Sequence, residues 1–258
     1  RVSFETLQGI PALSSLAQPF GWEMMQEHDW SNLCIISNGD TWFREQSVYG
    51  YFDRLIDDGF FDEFEQVVFY GAGPCAYAAA YSVAAPGARV LAVQPQATLD
   101  PRVTEWDDRF TDMRRSDFTS RYGYTPDMID AATMAYVVYD PRERLDAMHA
   151  ALFTRAHTQK LRLPHMGSAI QTDLLEMDCL APLLVAIADG SLTEVQFAKM
   201  MRARRNHPPY LRNVMAALNA QDRETLVIML ARNVTSRMHA PRFARRLAAI
   251  DQSEAKDD

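Results

Sequence analysis

From residue 33 to residue 188, short unbroken apolar runs take turns with stretches in helical spacing. Leu33-Cys34-Ile35-Ile36 is stopped by Ser37-Asn38-Gly39-Asp40, which predicts a buried strand and then a turn. Over 42–58 the apolar residues Val48, Tyr51, Phe52, Leu55 and Ile56 recur at helical intervals. The cycle repeats as a strand at 67–70, a helix of small residues at 75–85 and a strand at 89–93. After an insertion over 100–132 come a strand at 135–139, a helix at 144–153, a strand at 161–163 and a helix at 171–188. Five strands written as continuous apolar runs and separated by helices predict a parallel sheet covered on both faces, a doubly wound α/β body. Residues 1–30 show no clean period, and their aromatic-rich part, 20–30, reads as a cover packed on that body.

Beyond Gly190 only helical periodicity remains, over 192–203, 210–218, 223–231 and 241–250, punctuated by Pro208-Pro209 and Pro241. The expected organisation is an α/β domain at 1–190 and an all-helical C-terminal extension at 191–258. Charge sharpens this division. The chain of 258 residues has 26 Lys+Arg and 34 Asp+Glu, a net charge of -8, but residues 191–258 hold 12 and 7 and stand at +5, leaving -13 on the rest. Arg202, Arg204, Arg205, Arg212, Arg232, Arg237, Arg242, Arg245 and Arg246 make the last helices basic, a solvated face or a docking surface for a protein partner. Aromatic residues do not interleave with these arginines, so nucleic acid is not an expected partner.

Three cysteines, Cys34, Cys75 and Cys179, lie far apart without a CxxC pair, which excludes a disulfide framework and a cysteine-rich zinc site. His28, Asp40, His157 and His239 have no ligand spacing, so no metal site and no cofactor is expected. The longest uncharged run, 66–88, is broken by Gly71, Gly73, Pro74, Pro86 and Gly87 and reads as strand, turn and helix rather than a membrane span. The chain opens without a charged segment leading into an apolar one, and with its reduced cysteines the expectation is a cytoplasmic protein.

The candidate chemistry centres on Val67-Val68-Phe69-Tyr70-Gly71-Ala72-Gly73-Pro74-Cys75-Ala76-Tyr77-Ala78-Ala79-Ala80, a strand, a glycine turn and a helix of small residues. Gly71 to Ala76 spells GxGxxA and resembles the turn of flavin- and nicotinamide-binding oxidoreductases, where glycines let the backbone approach a pyrophosphate at a helix N-terminus. The strand-end acid that would hold a ribose is replaced by Gln94, and a further strand precedes the turn. The same segment resembles the nucleophile elbow of the α/β-hydrolase fold, G-x-S-x-G-G, in the variant that continues Tyr-Ala-Ala. Superposition puts Gly71 on the first glycine, Cys75-Ala76 on the closing pair, and Gly73 on the nucleophile. Later stretches follow in the order nucleophile, acid, histidine. The strand at 135–139 ends in Asp140-Pro141 with Glu143 and Asp146 beyond, and the strand at 161–163 ends in Pro164-His165-Met166-Gly167. Gln94-Pro95-Gln96-Ala97-Thr98-Leu99-Asp100-Pro101 is similar to the stretch that follows the elbow unit in some bacterial hydrolase-like proteins associated with surface polysaccharides and sulfated or acylated glycans.

The resemblance implies a degenerate elbow. Gly73 has no side chain to attack with, and Pro74, where the backbone would donate to an oxyanion, has no N–H. The second donor is expected near Asn38 and Gly39. The implied protein is a pseudoenzyme that binds a small or glycan-like ligand, or a partner, in a relict cleft. One alternative is an acyl or thioester hydrolase with Cys75 as nucleophile, His165 as base and Asp140 or Asp146 as the acid, a thiolate being favoured at a helix N-terminus. Against it, Cys75 also reads as a small residue that lets helix and sheet approach, and His149 as a structural histidine.

Overall fold

A computed structural model describes residues 1–14 and 16–257. Its centre is a six-stranded parallel sheet formed by β1 (Val2–Thr6), β2 (Leu33–Ser37), β3 (Val68–Ala72), β4 (Arg89–Val93), β5 (Met134–Tyr139) and β6 (Thr158–Arg162). The spatial order is β2-β1-β3-β4-β5-β6. β3 runs beside β4 with Val68 against Arg89 and Ala72 against Val93, and β4 beside β5 with Arg89 against Met134. The fold class is therefore α/β.

Alternate residues of each strand enter different layers, because the side-chain period of a strand is two. Val2, Phe4, Phe69, Val90, Ala92, Ala135 and Val137 pack on the helix Gly73–Ala84, the helix Gln46–Asp57 and an aromatic group that includes Phe43, Phe52, Tyr81 and Tyr122. Tyr70, Leu91, Val93, Tyr136 and Val138 are equally buried but point the other way. There Tyr70 meets Gln171 of the helix Ile170–Glu176 at 2.8 Å, and Arg89 donates to carbonyls at the end of the helix Leu180–Ala188. Both faces are covered, as the continuous apolar runs require. The helix Gly73–Ala84 is wound in tight 3-10 turns, and its residues Ala76, Ala78, Ala79 and Ala80 are almost wholly inaccessible. Their small side chains let the helix lie close on β1, β3 and β4.

Three elements depart from the sequence reading. β1 lies within residues without a clean period, yet it is an interior strand. Ser3 and Glu5 are buried with the apolar residues, and Ser3 donates to Glu5 at 3.3 Å, so polar residues that obscure the pattern in the sequence sit inside the sheet. β6 begins at Thr158, ahead of the apolar run, because it is an edge strand. Thr158, Gln159 and Lys160 are tolerated where one side meets solvent. The long helix expected at 171–188 is two helices, divided where Asp178 adopts a left-handed φ of 54°. The aromatic cover at 20–30 contains the helix Gly21–His28, with Phe20 against Tyr70 at 6.0 Å between ring centres.

The chain divides into two compact units, one ending at Met201 and one beginning at Arg202. Residues 191–201 carry one acid, Glu194, and one base, Lys199, so the charges of -13 and +5 hold at this boundary as well. The second unit gathers the helices Pro208–Asn219, Glu224–Thr235 and Pro241–Asp257 around Leu211, Ala231, Val234 and Phe243. Among the described residues no helix is long and apolar enough to cross a membrane.

Candidate functional site

The strand order reverses direction at β1, whose neighbours are β2 on one side and β3 on the other. In open α/β sheets the crevice outside the carboxyl ends of two such strands is where ligands sit. The 71–75 turn leaves β3 at this crevice. Its backbone separates the two glycines sharply. A Cβ on Gly71 would lie 1.9 Å from the carbonyl oxygen of Cys75, so only glycine lets the strand end and the helix start pass each other. Gly73 holds φ +56°, and a Cβ built on it meets nothing within 4 Å. The apex of the turn thus points any side chain into open space in a left-handed conformation that glycine adopts without cost. Pro74 follows within the first turn of the helix and supplies no N–H.

Cys75 is packed inside rather than displayed. Its thiol is pushed up well beyond the usual range, by burial first and then by the charges of Asp40 and Glu5. That is the opposite of the lowered thiol that a cysteine nucleophile requires, and the left-handed residue at the apex is Gly73 rather than Cys75. Cys34, on β2, is likewise pushed up to about 12 by burial and by Glu5, whose carboxylate it meets at 3.5 Å.

Asn38 and Gly39 leave β2, an edge strand separated from β3 by β1. The loop that neighbours them comes from the end of β1, where Gln8 donates to Asn38 Oδ1 at 2.7 Å and accepts from the Gly39 N–H at 3.0 Å. The Gly39 N–H, expected as an oxyanion donor, is here bonded to Gln8 and ties two loops together.

Two strands along from β3, Asp140 follows β5 and is buried. Its Oδ1 accepts from Arg142 N at 2.8 Å and its Oδ2 from Gly167 N at 2.7 Å. The strand-end acid and the turn carrying His165 are thus joined, with His165 half-buried at φ +69° beside Gly167 at φ +76°. Glu143 is exposed at the start of the helix Arg144–Leu152.

Asp146 has different partners. It accepts from Gln94 Nε2 at 2.8 Å and from Arg109 at 2.6 Å. Arg109 also pairs with Asp107 at 2.7 Å, and Asp107 meets His149 Nε2 at 2.9 Å. Since His149 Nδ1 accepts from the Ala97 N–H at 3.1 Å, the proton of a neutral ring sits on Nε2 and is donated to Asp107. Burial alone would raise the Asp107 carboxyl, but the hydrogen bonds from His149 and Arg109 outweigh it and hold it well below the usual range. Gln94, at φ +50°, completes the network by accepting from the Ile170 N–H at 3.2 Å. This buried cluster fastens the segment after β4 to two helices. Its key members, Asp107 and Arg109, lie in the insertion and were invisible to motif reasoning, although Asp107-Asp108-Arg109 between apolar residues is a signal of a partnered charge. With both ends of its amide engaged, Gln94 offers nothing to a ribose.

The described cavities of the first unit lie away from this crevice, against Arg1, Asn32, Phe60, Phe64 and Gln66 at the amino ends of the strands. No family model, curated protein or solved structure matches the chain.

Proposed function

We propose that this chain is an α/β-hydrolase-like protein whose nucleophile has been lost, and that it binds a small or glycan-like ligand, or a partner, at the carboxyl ends of β1 and β3 without acyl transfer of its own. One observation carries the reading: Gly73 occupies a left-handed apex between strand and helix with open space beyond its missing Cβ, while Gly71 two residues earlier is held by close backbone contact. Such a backbone is what a turn that displayed a nucleophile would keep after losing it. The proline at 74 and the engaged N–H of Gly39 support loss of function, since each removes one of the donors expected for a tetrahedral oxyanion. The acid-to-turn bond from Asp140 to Gly167 supports a retained scaffold, with His165 presented on the turn that Asp140 fixes. The cysteine-hydrolase alternative is weakened by the buried, raised thiol of Cys75, and the nucleotide alternative by the engaged side chain of Gln94.

The test restores what is missing. The wild-type protein is expected neither to hydrolyse activated esters or thioesters nor to take a fluorophosphonate label. The double variant Gly73→Ser, Pro74→Ala is expected to be labelled at position 73, with labelling lost on addition of His165→Ala. A folded double variant that stays unlabelled would remove the hydrolase-like reading. Wild-type thioester turnover that vanishes in Cys75→Ala would replace it with cysteine catalysis.

A further inference from the structure

The second unit contains a groove outside the proposed cleft, and its chemistry is distinct. Leu211 and Arg212 from one helix, Val234 near the end of the next and Met238 just after it, and Arg242 and Phe243 at the start of the last border a groove of about 290 Å³. Leu211, Val234 and Phe243 form a buried apolar floor, with Met238 and Ala240 half-buried beside them. Arg212, His239, Arg242 and Arg245 are exposed around it. Among the described residues no carboxylate lines the groove and none pairs with Arg212, Arg242 or Arg245.

We propose that this groove docks an acidic segment of a partner protein, one bulky apolar side chain entering the floor while flanking Asp or Glu residues meet Arg212, Arg242 and Arg245. The dimensions and charge choose this occupant. The volume sits at the lower edge of the roughly 300–1,000 Å³ typical of drug-sized ligand pockets, which suits one or two side chains rather than a whole ligand. A nucleic acid would need exposed aromatic platforms for stacking, and Phe243 lies under the floor, 4% exposed. A membrane surface would need apolar groups that protrude, whereas these are recessed. Arginine favours the role because its fork pairs with carboxylates in two-point fashion and is common at the anchoring positions of interfaces. Three positive charges with no carboxylate partner among the described residues surround one apolar recess within a unit of net charge +5, which gives both parts of a recognition site: attraction and an anchor.

The full chain is titrated into a fluorescein-labelled decapeptide of Asp and Glu with a central Leu-Phe pair, read by fluorescence anisotropy at low and physiological salt. Saturable binding is expected, weakened at least tenfold by Arg212→Glu combined with Arg242→Glu and unchanged by Arg223→Glu, an exposed arginine outside the groove. Replacing Leu-Phe by Ser-Ser in the peptide is expected to cost a further tenfold. Equal binding of the Ser-Ser peptide would reduce the site to general charge attraction and overturn the proposal. So would an unchanged affinity in the folded double-arginine variant. If the peptide fails while anionic phosphatidylglycerol vesicles bind saturably, or while the chain dimerises in sedimentation and Arg242→Glu abolishes this, the occupant is a membrane or a second copy and the proposal falls.

Discussion

Removing the guanidinium of Arg109 tests whether the buried cluster holds the α/β unit together. Arg109 lies between two carboxylates whose side chains are 0% and 3% exposed, at 2.7 Å from Asp107 and 2.6 Å from Asp146, and is itself 33% exposed. In Arg109→Met the stem packing is largely kept while both acids lose a charged partner. Breaking a buried pair by removing one member costs about 3–5 kcal/mol, and the partial exposure of Arg109 places the expected loss near the lower end, about 3 kcal/mol. His149 and Gln94 remain to hold one oxygen of each acid, which limits the damage further. For a unit of this size about 3 kcal/mol corresponds to a fall of roughly 6–12 °C in melting temperature. The pH dependence supplies a second check. The folded Asp107 carboxyl is held below its unfolded value of about 3.9, so its stabilisation is complete above that pH and is lost as pH falls through the folded value. Without Arg109 the Asp107 carboxyl is held down less, so the variant's deficit is at its full value above about pH 4 and narrows only as pH falls below that. Urea unfolding of both proteins at pH 7 and at about pH 2 measures this directly. A loss below about 1 kcal/mol at pH 7, within the range of an ordinary surface ion pair, or a deficit that does not narrow at about pH 2, would refute the reasoning.

The two turn glycines should respond very differently to alanine. Gly71→Ala forces a methyl group against the Cys75 carbonyl and is expected to destabilise by at least about 3 kcal/mol in chemical denaturation, whereas Gly73→Ala meets only its left-handed backbone and should cost about 1–2 kcal/mol; similar costs would contradict the turn geometry. Cys75 and Cys34, both with raised thiols, should react slowly with a disulfide reagent at pH 8 in the native protein and promptly once unfolded, and fast native labelling of Cys75 would show a reactive thiol. Asp140→Ala leaves the N–H groups of Arg142 and Gly167 without their carboxylate, which should cost about 2–4 kcal/mol and speed amide exchange at 165–167; unchanged exchange there would show that the acid does not fix the turn.

The alternation of apolar runs and helical stretches determined the α/β class, the positions of β2, β3, β4 and β5, and the helical end of the chain, because burial on both faces of a parallel sheet writes itself directly into composition. The glycine pair of the turn and the polar residues ending β5 and β6 were also legible, since strand ends and tight turns demand particular residue types. Tertiary structure alone decided the rest. Whether Val2-Ser3-Phe4-Glu5-Thr6 is an interior strand depends on Ser3, Glu5 and Cys34 satisfying one another across β1 and β2, a contact between residues about thirty positions apart. That Asp140 fixes the His165 turn while Asp146 joins Arg109 and Gln94 could not be chosen from two acids six residues apart, because chain spacing does not tell which way each carboxylate faces. Likewise, GxGxxA permits several turns. Backbone dihedrals and close approach made Gly71 the contact, Gly73 the open apex and Cys75 a buried residue, since φ and packing are set by the sheet and helix that meet there rather than by the residues that link them.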